Sequence, residues 1–176
     1  VVLTGADKVH SDPTSNGYSN FTTSVELIMD NRVGVWTVFD SIFSADTVME
    51  ADYFSDKFRT GNSPLTVTKC SKNITFNNKV AIIKMYPFID FGMINFTDNI
   101  KACLLVGYHS GTADENAVDI LLSKCKEKNI PLYLQGLNKE SALYDSSNNL
   151  QDKGVNLVYN STPEYAYATL MIKVNS

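Results

Sequence analysis

The sequence predicts an α/β fold built on a Rossmann-like, three-layer parallel sheet, and three patterns support this. Short apolar runs, such as residues 1–3, 80–86 and 102–108, are typical of strands buried on both faces. Segments with apolar residues at helical spacing separate these runs. Turn residues rich in Gly, Pro and Asn end them. Strands that alternate with helices favour a parallel sheet with helical crossovers.

Composition limits the class of protein. The chain has 176 residues, of which 44% are hydrophobic, enough for one good core or two small ones. Its net charge of -4 makes nucleic acid and anionic membrane surfaces poor partners. No apolar stretch approaches the roughly 18 residues of a transmembrane helix. We therefore expect a globular protein outside the membrane, and the sequence favours the cytoplasm over secretion.

The first part of the chain contains one helix among strands. Residues 1–3 form an apolar strand that ends at Thr4-Gly5. The following helix is predicted over residues 20–29, where spacings of four, three and one place the apolar residues on one stripe: Phe21, Val25, Ile28 and Met29. Residues 33–39 predict a strand, 41–54 a β-rich segment and 64–68 a further strand.

A polar, weakly patterned stretch interrupts the chain near residue 70 and is the linker candidate. We therefore expect a first domain over 1–70, a linker over 71–78 and a small C-terminal α/β domain over 79–176. In the second domain the predicted strands are 80–86, 102–108, 131–135 and 155–159, and the predicted helices are 112–128, 147–152 and one that opens at 161–164.

The helix starts and the cysteines give more specific expectations. Thr112 and Glu115 have the spacing of a capping box, and Thr162 precedes a proline in the first turn of the last helix. Three cysteines without CxxC spacing are expected to be buried, reduced thiols: Cys70, Cys103 and Cys125. Two distant histidines make a metal site improbable on pattern grounds, and we expect no cofactor.

Several short motifs occur in an order that resembles the L-asparaginase family. The opening Val-Val-Leu-Thr-Gly-Ala and the loop from Thr14 to Asn20 are similar to the family's Val-Val-x-Thr-Gly-Ala and Ser-x-Asp-Gly-x-x-Asn. Further similarities lie at residues 58–65, 84–87, 100–117 and 154–168. The resemblance covers nearly the whole chain and corresponds to the later two-thirds of the family, including its C-terminal domain. It implies an asparaginase-like fold with a truncated first domain.

The resemblance implies descent from amidohydrolases that cleave L-asparagine or L-glutamine side-chain amides through a threonine nucleophile. The family uses two catalytic threonines, and both belong to its N-terminal third, to which the resemblance does not extend. Glu50 stands near the position of the family lysine, and a carboxylate there cannot supply the positive charge that activates a hydroxyl. We therefore expect no complete catalytic set and no catalysis by the chain alone.

Four residues are candidates for binding a ligand, for which a small amino acid is the expected class. Ala6 matches a family residue whose carbonyl lies near the substrate. His109, Ser110 and Thr112 follow a parallel strand and precede a helix, where α/β folds bind anionic groups. The simpler interpretation makes Thr112 only a helix cap and residues 110–111 only a tight turn. His10, in a polar loop, is expected to be solvated.

Three functions remain open at this stage: a degenerate asparaginase-like binding or assembly module, part of an active amidohydrolase completed by another chain, or a structural component of a larger assembly. An uncovered first strand would expose apolar surface on the order of 300 to 600 Å². We therefore expect self-association, or a partner chain that covers the edge of this strand.

Overall fold

The computed structural model describes residues 1–51, 57–61, 77–108, 112–137 and 145–176, with the side chains of 145 and 146 excepted. These residues belong to two compact units, Val1–Asn62 and Ser63–Ser176. Most of the predicted linker and the strand predicted at 64–68 lie outside the described residues. The domain limits 1–70, 71–78 and 79–176 therefore stay a prediction.

The first unit contains a three-stranded sheet in the order β1-β2-β3. Strand β1 runs parallel to β2, and β2 pairs with β3 in antiparallel fashion around Asp40, which has a φ of 55°. The predicted strand at 33–39 begins only at Trp36, because Gly34 has a φ of 129° that breaks the extended run. The elements are β1 (Val2–Thr4), α1 (Gly17–Met29), β2 (Trp36–Phe39), β3 (Ser41–Ser44) and the antiparallel pair β4 (Val48–Met49) and β5 (Arg59–Thr60).

Helix α1 ends at the predicted residue but begins at Gly17, three residues earlier than predicted, and it buries a different side from the one that its apolar stripe favours. Its buried residues are Asn20, Ser24 and Leu27, and the helix contacts β1 and β2. The apolar stripe is exposed: Phe21, Val25, Ile28 and Met29. The polar side is buried because the side chain of Asn20 makes hydrogen bonds to backbone groups of the sheet.

The second unit is built on a fully parallel sheet in the order β6-β7-β8-β9, which confirms the predicted sheet type. Each strand lies beside the next one along the chain, and helices provide crossovers between later strands. Its elements are β6 (Val80–Lys84), a 3-10 turn (Phe91–Met93), β7 (Ala102–Val106), α2 (Glu115–Glu127), β8 (Leu132–Leu137), α3 (Asp145–Asp152), β9 (Asn156–Tyr159) and α4 (Pro163–Asn175).

Strand β7 shows why this unit has three layers. Side chains alternate along a strand, so Cys103 and Leu105 face one side and Leu104 faces the other. The first side packs with residues of α2 and α3, including Leu121, and the second packs with residues of α4, including Leu170. All five side chains are buried. Because both faces are covered, the strand has an almost continuous apolar sequence.

Two helix starts were predicted and one of them is wrong. The cap of α4 is confirmed, since the backbone N–H of Tyr165 donates to the Thr162 hydroxyl at 3.1 Å. Helix α2, however, is capped by Asp114, whose carboxylate accepts from the N–H of Ala117 at 3.0 Å. Thr112 lies two residues before this cap, and the extended backbone of Asp114 is what aims a side chain at the first turn.

Cys103 and Cys125 are buried free thiols in the same apolar cluster, as expected. A hydrogen bond with Cys125, together with burial, raises the pKa of Cys103 well above its usual value. A thiol held neutral in this way behaves as a small apolar side chain. Cys70 lies outside the described residues.

Candidate functional site

An open cleft of about 380 Å³ lies at the carboxyl end of β1. The carboxyl ends of parallel strands are the usual ligand-binding edge of α/β sheets. The cleft is lined by the strand end, the loop that follows it and the first turns of α1: Thr4, Gly5, Ala6, His10, Gly17, Tyr18 and Phe21. The cleft therefore lies where the sequence places the Thr-Gly-Ala turn.

Gly17 allows α1 to begin close to the strand end. A Cβ atom at this position would lie 3.0 Å from the Cβ of Ala6 and 3.3 Å from the Ser15 hydroxyl oxygen. Both distances are tighter than ordinary van der Waals contact. A side chain at position 17 would therefore push the helix away from Ala6 and change the floor of the cleft.

Asn20 holds the strand end and the β2–β3 turn together. Its side-chain amide donates to the carbonyl of Gly5 at 2.9 Å, and its side-chain oxygen accepts from the N–H of Asp40 at 2.9 Å. Only 2% of this residue is exposed. Since buried backbone groups need partners, Asn20 fixes the geometry of the cleft through two bonds.

A second set of hydrogen bonds orders the loop between β1 and α1. The N–H of Asp7 donates to the side-chain oxygen of Asn16 at 2.9 Å, and the N–H of Asn16 donates to the Asp7 carboxylate at 3.0 Å. The Asn16 amide also donates to the Asp40 carboxylate at 2.9 Å. Further along, hydrogen bonds from Thr14 lower the pKa of Asp12. The loop that carries His10 is thus held at both ends.

The reactive groups in the cleft are not arranged as an activated nucleophile. The Thr4 hydroxyl donates to the backbone carbonyl of Val38 at 3.0 Å, so its proton is held by the sheet and not by a base. Besides Thr4, the lining residues with polar side chains are His10 and Tyr18, and both are exposed. Across the described parts of the chain, no cluster of three or more His, Cys, Asp or Glu residues could hold a metal ion.

The structure brings only one of the predicted site residues into this cleft. Ala6 lines it, whereas Glu50 is exposed directly after β4 and is not a lining residue. His109 and Ser110 lie outside the described residues. Thr112 is half-buried, and its carbonyl accepts from the N–H of Tyr108 at 2.8 Å. Ligand binding by these residues stays a prediction.

Sequence reasoning missed Tyr18 and Phe21 as lining residues. The sequence pattern places Phe21 only on an apolar stripe and Tyr18 only in the loop that enters the helix. The signal that could have found them is Gly17, because a helix that starts beside a strand end directs its first turns toward that end. His10 is exposed as expected, yet it also lines the cleft.

The end of β7 shows a similar close approach in the second unit. A Cβ atom on Gly107 would lie 2.9 Å from the carbonyl oxygen of Thr112 and 3.1 Å from that of Gln135. The N–H of Gly107 donates to the same Gln135 carbonyl at 2.9 Å. Glycine is therefore required directly after β7, where the carbonyls of Thr112 and Gln135 lie close to the backbone.

Comparison with solved structures identifies the architecture. The thermostable L-asparaginase from Thermococcus kodakarensis is similar over 99% of this chain, with a TM-score of 0.74 and 16% sequence identity. L-asparaginase I from Vibrio cholerae is similar over the whole chain, with a TM-score of 0.72 and 20% identity. The fold is asparaginase-like. A probable cytoplasmic L-asparaginase from Campylobacter jejuni agrees, with a TM-score of 0.67, 18% identity and 99% of this chain covered.

The asparaginase-like fold spans only part of these relatives. The chain corresponds to 61% of the length of the first two proteins and 66% of the third. No protein-family model matches the sequence, and no curated protein does. In the portions of the chain that the structure describes, no helix is long and apolar enough to cross a membrane.

Proposed function

We propose that this asparaginase-like chain is a binding module, which takes a small amino-acid ligand in the cleft at β1 and does not hydrolyse an amide by itself. The observation that carries this proposal is the bond from the Thr4 hydroxyl to the Val38 carbonyl. The cleft contains a hydroxyl at the ligand-binding edge, but that hydroxyl is engaged by the backbone. Binding without turnover is the function that fits such a site.

The start of α1 suits the carboxylate of an amino acid. Backbone N–H groups at a helix start point outward, and the helix dipole favours a negative charge there. The first turn of α1 contains no acidic residue of its own, and the side chain of Asn16 makes no capping bond to it. Two N–H groups at this end are already engaged, that of Asn16 by the Asp7 carboxylate and that of Gly17 by the Ser15 hydroxyl, so a ligand carboxylate would bind beyond them. The cleft also has the size of ordinary small-molecule sites, which are about 300 to 1,000 Å³.

Calorimetry and an ammonia assay test this proposal together. The purified chain is titrated with L-aspartate and with L-asparagine at up to millimolar concentration, and ammonia release from L-asparagine is followed in parallel. We expect binding of at least one ligand and no ammonia above background. Tyr18→Ala is expected to weaken binding about tenfold, the equivalent of about 1.4 kcal/mol. Tyr86→Ala, in the second unit and exposed, is the matched control.

Two results would contradict the binding module. If neither L-aspartate nor L-asparagine gives a heat of binding, the cleft does not bind a small amino acid and the proposal is wrong. Ammonia release by the chain alone, lost in Thr4→Val, would mean that the threonine is a working nucleophile in spite of its bond to the sheet.

A second candidate function is part of an active amidohydrolase whose remaining portion comes from another polypeptide. This function is favoured by the position of β1 at the edge of its sheet. Among the described residues, no strand pairs with the side of β1 that faces away from β2. The relatives are also longer, since this chain corresponds to about 61% of two of them. Amide hydrolysis that appears only after a separate polypeptide is added would support this function over the first.

A further inference from the structure

Two polar groups at the carboxyl end of β1 already have partners within the protein. The Thr4 hydroxyl donates to a backbone carbonyl of β2 at 3.0 Å, and the Gly5 carbonyl accepts from the side-chain amide of Asn20 at 2.9 Å. Both groups belong to residues that line the cleft. A polar ligand side chain would therefore find few protein groups that can replace its hydrogen bonds to water.

The cleft also lacks a fixed charge along its lining. Among the described residues that line it, none is Lys, Arg, Asp or Glu. His10 is the lining residue that can take a positive charge, and it is exposed, so water screens an ion pair with it. A ligand with a carboxylate in its side chain would lose hydration in this cleft without gaining a strong ion pair.

Two aromatic rings contribute to the wall of the cleft. Tyr18 and Phe21 lie three positions apart in α1, which makes them neighbours on one side of the helix. They are 74% and 61% exposed, and together with Ala6 they make the lining almost entirely apolar. Contact with an apolar group would remove part of this ring surface from water, which is favourable.

We propose that the cleft prefers an amino acid with an apolar side chain, for which L-leucine is the probe, over L-asparagine and L-aspartate. This inference rests on the proposed function, because it names the class of amino acid that the same cleft would take. The α-carboxylate is common to the three ligands, so its interaction with the start of α1 is the same for each. The side chain alone then decides the preference.

The three amino acids form a matched set. Each side chain branches at the γ-carbon, which carries two methyl groups in leucine, an oxygen and a nitrogen in asparagine, and two oxygens in aspartate. A difference in affinity therefore reports on the polarity of the cleft and not on the size of the ligand. Since an amide or a carboxylate without partners is costly to desolvate, we expect L-leucine to bind about tenfold more tightly than either.

Isothermal titration calorimetry of the full chain with each amino acid, at up to millimolar concentration, tests this preference. Phe21→Ala removes a lining ring and is expected to weaken L-leucine binding about tenfold and L-asparagine binding less than about threefold. Ile28→Ala, at an exposed position of the same helix that does not line the cleft, is the matched control and should leave both affinities unchanged. Circular dichroism and Trp36 fluorescence show whether each variant is folded.

The outcomes separate this inference from the proposed function. L-Asparagine or L-aspartate that binds as tightly as L-leucine overturns the preference and leaves the binding function intact. Equal losses for L-leucine and L-asparagine in Phe21→Ala also overturn it, because the ring would then not distinguish the side chains. No heat with any of the three amino acids contradicts the binding function itself. A ratio that favours L-leucine and shrinks in Phe21→Ala supports the preference.

Discussion

Replacement of Asn20 by alanine is the sharpest test of how the first unit is held together. The side chain satisfies the Gly5 carbonyl and the Asp40 N–H, each at 2.9 Å, and only 2% of the residue is exposed. Alanine would leave both backbone groups without their partner. A buried polar group that loses its hydrogen bond costs about 1 to 3 kcal/mol. For two such groups we expect Asn20→Ala to lower the free energy of unfolding by about 3 kcal/mol.

Urea denaturation followed by fluorescence measures this loss in the first unit. Trp36 is the single tryptophan of the chain and lies in β2, so its emission reports on this sheet. With an m-value of about 1.5 kcal/mol/M, the midpoint would fall by about 2 M. Ser19→Ala, at an exposed position one residue earlier in α1, is the control and should change stability by less than about 0.5 kcal/mol.

The reasoning would be refuted by an Asn20→Ala protein whose unfolding free energy stays within about 0.5 kcal/mol of wild type at an unchanged m-value. Such a result would mean that water replaces the side chain at both backbone groups. The geometry of the cleft would then not depend on Asn20.

Three further predictions concern the second unit. Gly107→Ala should lower the thermal midpoint, at a cost of about 1 to 3 kcal/mol, because the new Cβ would lie 2.9 Å from the carbonyl of Thr112; an unchanged midpoint would show that this carbonyl can shift at little cost. Thr162→Ala should cost about 1 kcal/mol through loss of the α4 cap, measured by urea denaturation with circular dichroism. Lys128 holds the pKa of Asp98 below its usual value through a 2.7 Å ion pair, so Lys128→Ala should raise that pKa in an NMR titration. The contribution of this pair is present above the ordinary aspartate pKa and is lost as the pH falls through the lowered one.

The sheet of the second unit was predictable because each strand has its own apolar run. Residues 80–86 and 102–108 were expected as strands, and the structure has β6 and β7 within them. Strand β7 is buried on both faces and must be apolar at nearly every position, so its own residues are enough to identify it as a strand. The cap of α2 was harder to predict, since Thr112 and Asp114 are both good capping residues and only the backbone decides which one is used.

For the candidate site, the sequence determined the Thr4-Gly5-Ala6 turn and the presence of a helix after it. It did not determine which side of that helix meets the sheet. Apolar spacing favoured the stripe with Phe21, but the strand end and the β2–β3 turn present backbone groups that only a polar side chain can satisfy, and Asn20 satisfies them. The side of α1 that is buried therefore depends on backbone groups 15 and 20 residues away along the chain. The apolar periodicity within the helix contains no information about those groups. Local pattern therefore fixed the elements, and long-range hydrogen bonding fixed the side of α1 that is buried and the cleft that results.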